Sequence, residues 1–387
     1  MAAKKMEILY KMLTSRNRFS GLKKVCVVLM TAIMMFSLMG CELFEPFEAA
    51  PPEIVTPEPE PLPEPAAPVQ TYVFPLTGKE TTNPSLITKR PIVVKIENSP
   101  QAYPQKGLGS ADVVYETVIE GGETRFACIF QSKIPPECEP IRSARNSDTS
   151  IVPQYRGILF YSGSNTEVDA AMRRVGMDFI QDGTVDFLFK RDQTRYSPHN
   201  LVLDTEKIYE VALDDGCEIE VADYVGLSFG PSVHAVTEPA THINIPFSHE
   251  CVSDWDWNPE DKVYYKEDRG RPHFDGATEE QISAANVVVM WADYSQAAML
   301  DPAGSPTYNV SLNGTGRAAV FKSGIRINGT WNSDGASPPR FYDEDGVEIT
   351  LNTGQTWFQV PWAHIEITSA ASDGMVPEGE GEENYEE

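Results

Sequence analysis

The chain has 387 residues, with 57 acidic side chains against 31 lysines and arginines and a formal net charge of −26 at pH 7. Such a surplus of negative charge repels phosphate backbones and anionic lipids, which argues against nucleic acid as a partner. The sequence has no Cys-x-x-Cys pair, no complete glycine-rich nucleotide loop and no full calcium-loop spacing. It therefore predicts neither a metal site nor a cofactor.

The first 41 residues have the pattern of an export signal. Seven basic residues precede an apolar run over residues 25–38, which is shorter than the roughly 20 apolar residues of a membrane-spanning helix. The run ends in Leu38-Met39-Gly40-Cys41, which resembles a bacterial lipobox. We expect Cys41 to be lipidated, to become the mature N-terminus and to anchor the protein at the extracellular face of the cell membrane.

Two segments outside the folded body are predicted to be disordered. Residues 42–71 mix proline with glutamate, and residues 371–387 carry only acidic charge among small and polar residues. Neither composition buries enough apolar surface to offset the entropy of ordering the chain. The first segment is predicted to be a spacer between the membrane and the body, and the second a tail.

Residues 72–230 alternate between strand and helix patterns. Short apolar runs predict strands at 92–96, 112–119, 125–131, 157–161 and 184–189, the second and third joined as a hairpin through Glu120-Gly121-Gly122-Glu123. Capping residues and one-sided apolar spacing predict helices at 166–181 and 205–213. Interleaved strands and helices indicate an α/β sandwich domain with a mixed sheet.

Residues 231–370 have a different, β-rich pattern. Eight short strand-like runs lie between residues 243 and 360, separated by turn residues. One helix is predicted at 279–285, from a capping box formed by Thr278 and Gln281. The sequence therefore predicts an α+β protein, with a barrel or sandwich domain following the α/β domain.

The predicted body contains four cysteines: Cys128, Cys138, Cys217 and Cys251. Outside the cell, four cysteines can form two disulfides. A body of this size is also stable without cross-links, so four buried thiols are an equal alternative.

Several motifs occur in order along the body. In the first half they are Arg90-Pro91-Ile92-Val93-Val94-Lys95-Ile96-Glu97-Asn98, Ala111-Asp112-Val113-Val114-Tyr115-Glu116, Glu120-Gly121-Gly122-Glu123-Thr124-Arg125-Phe126, Pro140-Ile141-Arg142-Ser143-Ala144-Arg145 and Ser197-Pro198-His199-Asn200. In the second half they are Gly324-Ile325-Arg326-Ile327-Asn328-Gly329-Thr330-Trp331 and Gly354-Gln355-Thr356-Trp357. This set resembles the YerB-like family of surface lipoproteins from Gram-positive bacteria. The resemblance implies a lipid-anchored envelope protein with two domains and implies no particular activity.

The candidate binding site is a basic group within an acidic body: Arg125, Arg142, Arg145, His199 and Asn200. Arginine presents a planar fork of donors that suits phosphate or carboxylate. We expect these residues to bind an anionic group of the cell envelope, such as a teichoic-acid phosphate or a peptidoglycan carboxylate. The structural alternative is that the arginines form ion pairs with Glu116, Glu120 or Asp148.

The leading functional interpretation is a non-catalytic binding or scaffolding module for an envelope component. A hydrolase of wall polymers is the second interpretation, with His199 as general base, Ser143 or Ser164 as nucleophile and Asp148 or Glu120 as orienting group. The carboxylates Glu116 and Glu120 also permit glycoside chemistry, although acidic residues are abundant here. The third interpretation is a module that docks an envelope protein.

Overall fold

The structure is a computed structural model that describes residues 70–221, 224–301 and 304–371. The predicted export signal with Cys41, most of the spacer and nearly all of the acidic tail lie outside the described residues. In the three described ranges, no helix is long and apolar enough to span a membrane.

Helices are short and few in the described part of the chain. The α-helices are α1 (Pro84–Ile87), α2 (Asp148–Gln154), α3 (Thr166–Arg174) and α4 (Ile208–Asp214). Three single-turn 3₁₀ helices are found at Pro100–Ala102, Leu108–Ser110 and Glu120–Gly122.

Strands make up most of the regular structure, so the fold is mostly β. The first ten are β1 (Tyr72–Val73), β2 (Glu80–Thr81), β3 (Ile92–Glu97), β4 (Val113–Val118), β5 (Thr124–Phe130), β6 (Glu137–Cys138), β7 (Ile158–Tyr161), β8 (Asp178–Gln181), β9 (Phe189–Arg191) and β10 (Leu201–Asp204).

The remaining strands follow in the second half of the chain. They are β11 (Glu238–Pro239), β12 (His242–Pro246), β13 (Val252–Asn258), β14 (Val263–Asp268), β15 (Arg271–Pro272), β16 (Ser283–Ala284), β17 (Asn286–Met290), β18 (Tyr294–Leu300), β19 (Pro306–Val310), β20 (Gly314–Lys322), β21 (Ile325–Ser333), β22 (Arg340–Asp343), β23 (Thr356–Val360) and β24 (Thr368–Ala370).

The largest sheet has eleven strands and draws on both halves of the chain. Its order is β11-β21-β20-β17-β23-β4-β5-β3-β7-β8, and β22 adds to β21. The halves join where β4 runs parallel to β23, with Val114 opposite Trp357. The expectation of a separate barrel or sandwich in the second half therefore differs from the observed arrangement, because six strands of that half extend the sheet of the first. The proposed domain boundary at residue 230 stays a prediction.

The central strands of this sheet are buried on both faces, since the side chains that alternate between the two faces are all buried along β3, β4, β5, β7, β17 and β23. Along β3, Val93 packs on one face and Val94 on the other, and both are fully buried. The face of Val93 is covered by α2 and α3, and the face of Val94 by α4 and a second sheet. The ends of β3, β4 and β5 are thereby held rigidly at one edge of the core.

The second sheet has the order β15-β14-β13-β12-β24, with β16 added to β14. Buried residues alternate with more exposed ones along β12, β13 and β14, as expected for a sheet with one face in the core. Trp255 on its inner face meets Trp357 of the large sheet edge to face, with ring centroids 5.2 Å apart. Such aromatic contacts tie the two sheets together.

Two predicted helices differ from the structure. The helix predicted at 279–285 is absent: Glu279 has a φ of +59°, outside the helical range, and Ile282 donates its backbone N–H to His273. The hydrogen bonds that this segment forms with β14 and with His273 therefore determine its conformation, and the local capping pattern does not. The helix predicted at 166–181 ends at Arg174, because Gly176 adopts a φ of +69° and the chain continues as β8.

The four cysteines of the described body, Cys128, Cys138, Cys217 and Cys251, are all free and buried. Of the two alternatives that the sequence left open, the structure has the buried thiols. Burial raises the pKa of each thiol, and that of Cys251 rises to about 12.

Candidate functional site

Four of the five predicted binding residues converge at one end of β3 and β5. Arg125 is the second residue of β5, and His199 lies just before β10. Arg142 and Arg145 lie in the segment after β6, which Arg142 fastens to β3 by donating its backbone N–H to Lys95 at 3.0 Å. We call Arg125, Arg142, Arg145 and His199 the arginine cluster.

Arg142 and His199 share one acidic partner. The Oε1 atom of Glu97 lies 3.2 Å from Nη2 of Arg142 and 2.9 Å from Nδ1 of His199. Glu97 ends β3 and its side chain is only 3% exposed, while those of Arg142 and His199 are 25% and 24% exposed. The carboxylate therefore lies beneath two basic groups that reach solvent.

Arg145 is paired with a different carboxylate. Its Nε and Nη2 atoms donate to Oε2 of Glu120 at 2.9 and 2.8 Å. Its backbone N–H donates to Asp148 at 2.7 Å, and the other carboxylate oxygen of Asp148 accepts from Nζ of Lys95 at 2.8 Å. Two of the acidic partners that the structural alternative named, Glu120 and Asp148, are thus present beside Arg145.

Arg125 differs from its neighbours. Its guanidinium donates to the carbonyl of Ser143 at 3.1 Å, and its buried Nε has no hydrogen-bond partner. Within the described ranges, Arg125 forms no ion pair with a carboxylate. Burial and the adjacent charges of Arg145 and Arg142 lower its pKa well below the ordinary value.

The charges of this region do not cancel. With the Lys95–Asp148 pair behind the cluster included, the region has four cationic side chains and three carboxylates. The cations are Lys95, Arg125, Arg142 and Arg145, and the carboxylates are Glu97, Glu120 and Asp148. A buried charge without a partner is costly, and a bound anion would relieve that cost. The arrangement is therefore suited to binding one further anionic group.

Asn200 lies next to His199 in the sequence, and its side chain forms hydrogen bonds within its own loop. Its side-chain oxygen accepts from Arg191 at 3.0 Å, and its amide donates to the carbonyl of Asp192 at 2.9 Å. These bonds close the loop that carries His199.

The hydrolase candidates are not arranged as a catalytic group around His199. Its Nδ1 contacts Glu97, and a second contact at 3.4 Å is to Ser99 rather than to Ser143 or Ser164. Glu116 and Glu120 have different partners: Glu116 accepts from Asn98 and Thr124 and lies 3.4 Å from Nζ of Lys266, whereas Glu120 accepts from Arg145.

Sequence reasoning missed Glu97, which is central to the site. The sequence contains a feature that could have indicated it, since Glu97 and Lys95 are charged residues within a run of apolar residues that forms a strand. In β3 both are buried, and each contacts an oppositely charged residue: Lys95 contacts Asp148 at the start of α2, and Glu97 contacts Arg142.

The comparisons with known proteins agree with this fold. Residues 76–218 match the family described as "Protein of unknown function (DUF3048) N-terminal domain", and residues 243–358 match its C-terminal domain. The chain belongs to this family. This match, together with the two YerB comparisons that follow, confirms the resemblance to YerB-like proteins inferred from the motifs.

One relative in the same family and one solved structure are also similar to this chain. The protein named "Putative lipoprotein YerB" of Bacillus subtilis (strain 168) is 26% identical over 317 residues, which covers 79% of this chain and 89% of the relative. A crystal structure of YerB from Bacillus subtilis superposes with a TM-score of 0.67 at 23% identity, covering 77% of this chain and all of that chain. The superposition shows a shared fold.

Proposed function

We propose that this protein is a lipoprotein anchored to the extracellular face of the cell membrane through Cys41, and that its arginine cluster binds an anionic group of the cell envelope. The anchor rests on the lipobox pattern and on the relative that is named as a lipoprotein. The bound group is a phosphate or carboxylate of a wall polymer, since these fit the guanidinium fork.

The unpaired guanidinium of Arg125 carries the binding proposal. Arg142 and Arg145 each have a carboxylate partner, whereas Arg125 is 4% exposed and donates only to a backbone carbonyl. Arg142 also has a buried Nε without a hydrogen-bond partner. The Nε atoms of Arg125 and Arg142 thus have no acceptor among the described residues, although the protein is rich in carboxylates, which supports a role in recognition.

Three of the four side chains of the cluster reach solvent. The side chains of Arg142, Arg145 and His199 are 25%, 19% and 24% exposed, and Arg125 lies behind them. A terminal phosphate or carboxylate can approach the three outer groups while the buried guanidinium adds positive potential. Recognition of this kind weakens as salt concentration rises, because the outer groups are screened by solvent ions.

Sedimentation with purified cell wall tests the binding proposal. We expect the protein to cosediment with wall at low salt, and the Arg142→Ala/Arg145→Ala variant to lose at least about 10-fold in affinity. The matched control is Arg326→Ala/Arg340→Ala, which removes the same charge from the second half and should bind as the parent does. Equal binding by both double variants, or no binding at low salt, contradicts the proposal.

The anchor is tested separately in cells. Cys41→Ala should prevent lipidation and shift the protein out of the membrane fraction. Metabolic labelling with a fatty acid should mark the parent chain and leave the variant unmarked. A labelled Cys41→Ala variant contradicts the assignment of the lipidated residue.

A further inference from the structure

Three side chains of the second half form a hydrogen-bonded series remote in sequence from the arginine cluster. The hydroxyl of Ser232 lies 2.8 Å from Nε2 of His234, and Nδ1 of that imidazole lies 2.7 Å from Oδ2 of Asp343. The side chain of His234 is 1% exposed and that of Asp343 is 8% exposed. Ser232 is half-buried, and its hydroxyl forms the end of the series opposite to Asp343.

The position of the carboxylate is fixed by its own loop. Asp343 ends β22, and its Oδ1 atom accepts the backbone N–H groups of Asp345 at 3.0 Å and Val347 at 2.8 Å. Its Oδ2 atom is therefore directed to His234. The hydrogen bond from His234 holds the pKa of Asp343 below its ordinary value, so the carboxylate stays ionised at neutral pH.

The donor and acceptor roles follow from this charge. An ionised carboxylate only accepts, so Nδ1 of His234 donates to Asp343, and in the neutral imidazole that general-base catalysis requires, Nε2 is the acceptor. The hydroxyl of Ser232 is the donor to that nitrogen. It also accepts from the ammonium of Lys322 at 3.0 Å, which donates to the carbonyl of Thr350 at 2.9 Å as well.

We propose that Ser232, His234 and Asp343 are a serine-hydrolase triad that cleaves carboxylic esters. In serine hydrolases of unrelated folds, the serine hydroxyl is hydrogen-bonded to a histidine base, and a carboxylate orients that histidine; this arrangement activates the hydroxyl as a nucleophile. Lys322 supplies positive charge beside the hydroxyl, where negative charge develops on the substrate oxygen.

The chemistry balances without a cofactor. Ser232 Oγ attacks the ester carbonyl while its proton passes to Nε2 of His234, and the protonated imidazole then gives that proton to the departing alkoxide. Water attacks the resulting acyl-serine, transferring a proton to His234 and then to Ser232. The products are a carboxylic acid and an alcohol, with one water consumed.

Two exposed apolar residues lie close to the series in the sequence: Val233 and Val236 are 73% and 64% exposed. We therefore choose an ester with an apolar acyl group as the first substrate to test. This activity does not depend on the arginine cluster, since none of its residues takes part. Either proposal can fail without the other.

The first test treats the full chain, purified in detergent, with a fluorophosphonate probe. We expect one covalent adduct, located at Ser232 by peptide mass spectrometry and abolished by Ser232→Ala. The matched control is Ser337→Ala, which removes another half-buried hydroxyl of the second half and should leave labelling unchanged. An adduct elsewhere, or none on a correctly folded chain, overturns the proposal.

The second test follows hydrolysis of p-nitrophenyl butyrate. Ser232→Ala and His234→Gln should each lower kcat/KM by at least about 100-fold, the scale of a lost nucleophile or general base. Asp343→Asn keeps the Oδ1 acceptor for the loop but no longer orients the imidazole, so kcat should fall with KM unchanged and Asp343→Glu should restore part of the rate. Hydrolysis that persists in Ser232→Ala overturns the proposal.

Discussion

Glu97 and His199 are joined by a hydrogen bond of 2.9 Å across 102 positions of the sequence. The same carboxylate oxygen lies 3.2 Å from Arg142, so a single acid serves two basic groups. Because one carboxylate serves two basic side chains, the arginine cluster has more positive than negative charges. This excess explains how a protein with a large negative charge can present a local site for anions.

Replacing Glu97 by glutamine should strengthen anion binding and weaken the fold. The variant removes one negative charge beneath Arg142 and His199, so we expect affinity for a small phosphate ester to rise several-fold at low salt. The same change replaces charge-assisted hydrogen bonds by neutral ones and should lower the free energy of unfolding by about 1–3 kcal/mol. Calorimetric titration and urea unfolding measure the two effects. Weaker binding by a folded variant contradicts the account.

The fully buried pair of Lys95 and Asp148 should show strong energetic coupling. Both side chains are 0% exposed and lie 2.8 Å apart. Either Lys95→Met or Asp148→Asn leaves a buried group unpaired and should cost about 3–5 kcal/mol, whereas the double variant should cost less than the sum.

Urea unfolding of the four proteins in this cycle gives the coupling energy. The matched control is the exposed pair Lys190–Asp204, whose side chains are 60% and 31% exposed and whose coupling should be much weaker because solvent screens it. Additive effects at Lys95 and Asp148 would show that their contact is not a stabilising pair.

The sequence predicts the strands around the site well, because their signals are local. The hairpin of β4 and β5 follows from two apolar runs around Glu120-Gly121-Gly122-Glu123, and the structure has it at nearly those bounds. The convergence of Arg125, Arg142 and Arg145 was also expected. Their partners were harder to assign, since acidic residues are abundant and only tertiary pairing selects Glu97 and Glu120.

Long-range pairings explain what the sequence does not predict. The union of β4 with β23 joins strands more than 200 positions apart, and no local pattern encodes it. Ser232 and His234 are separated from Asp343 by over 100 positions, so their contact depends on the position of β22. The predicted helix at 279–285 failed for the same reason, because pairing with β14 decides the conformation there.

His273 should make stability sensitive to mild acid. Its ring is fully buried, and the charged groups that act on it are Lys266, Asp268, Arg269 and Arg271. Burial has the largest effect and the positive charge of Lys266 the next largest, and together they lower the pKa of His273 from 6.5 to about 3. Since the folded state binds this proton less readily than the unfolded chain, His273 contributes stability that is present above about pH 6.5 and is lost as pH falls toward 3.

The measurement is the free energy of unfolding between pH 7 and pH 5. The parent protein should lose stability with a slope of up to about 1.4 kcal/mol per pH unit from this residue, and His273→Gln should flatten the slope. Equal slopes in the parent and His273→Gln contradict the assignment.

The four body cysteines should titrate as thiols only after unfolding. Burial raises the pKa of each one, so the reactive thiolate is scarce in the native state. With Cys41 changed to Ala and the export signal removed, Ellman's reagent should detect fewer than about one thiol per native chain and four in guanidinium without reductant. No reaction after unfolding would show that these cysteines are paired as two disulfides.

A crystal structure of the protein with glycerol phosphate tests the central claim most directly. The account predicts a phosphate at the arginine cluster, with its oxygens about 3 Å from the guanidinium groups of Arg142 and Arg145 and close to His199. The positions of Glu97 and Arg125 should change little, since their strands are buried on both faces. An empty cluster at a ligand concentration that saturates binding, or a phosphate bound only elsewhere, would contradict the account.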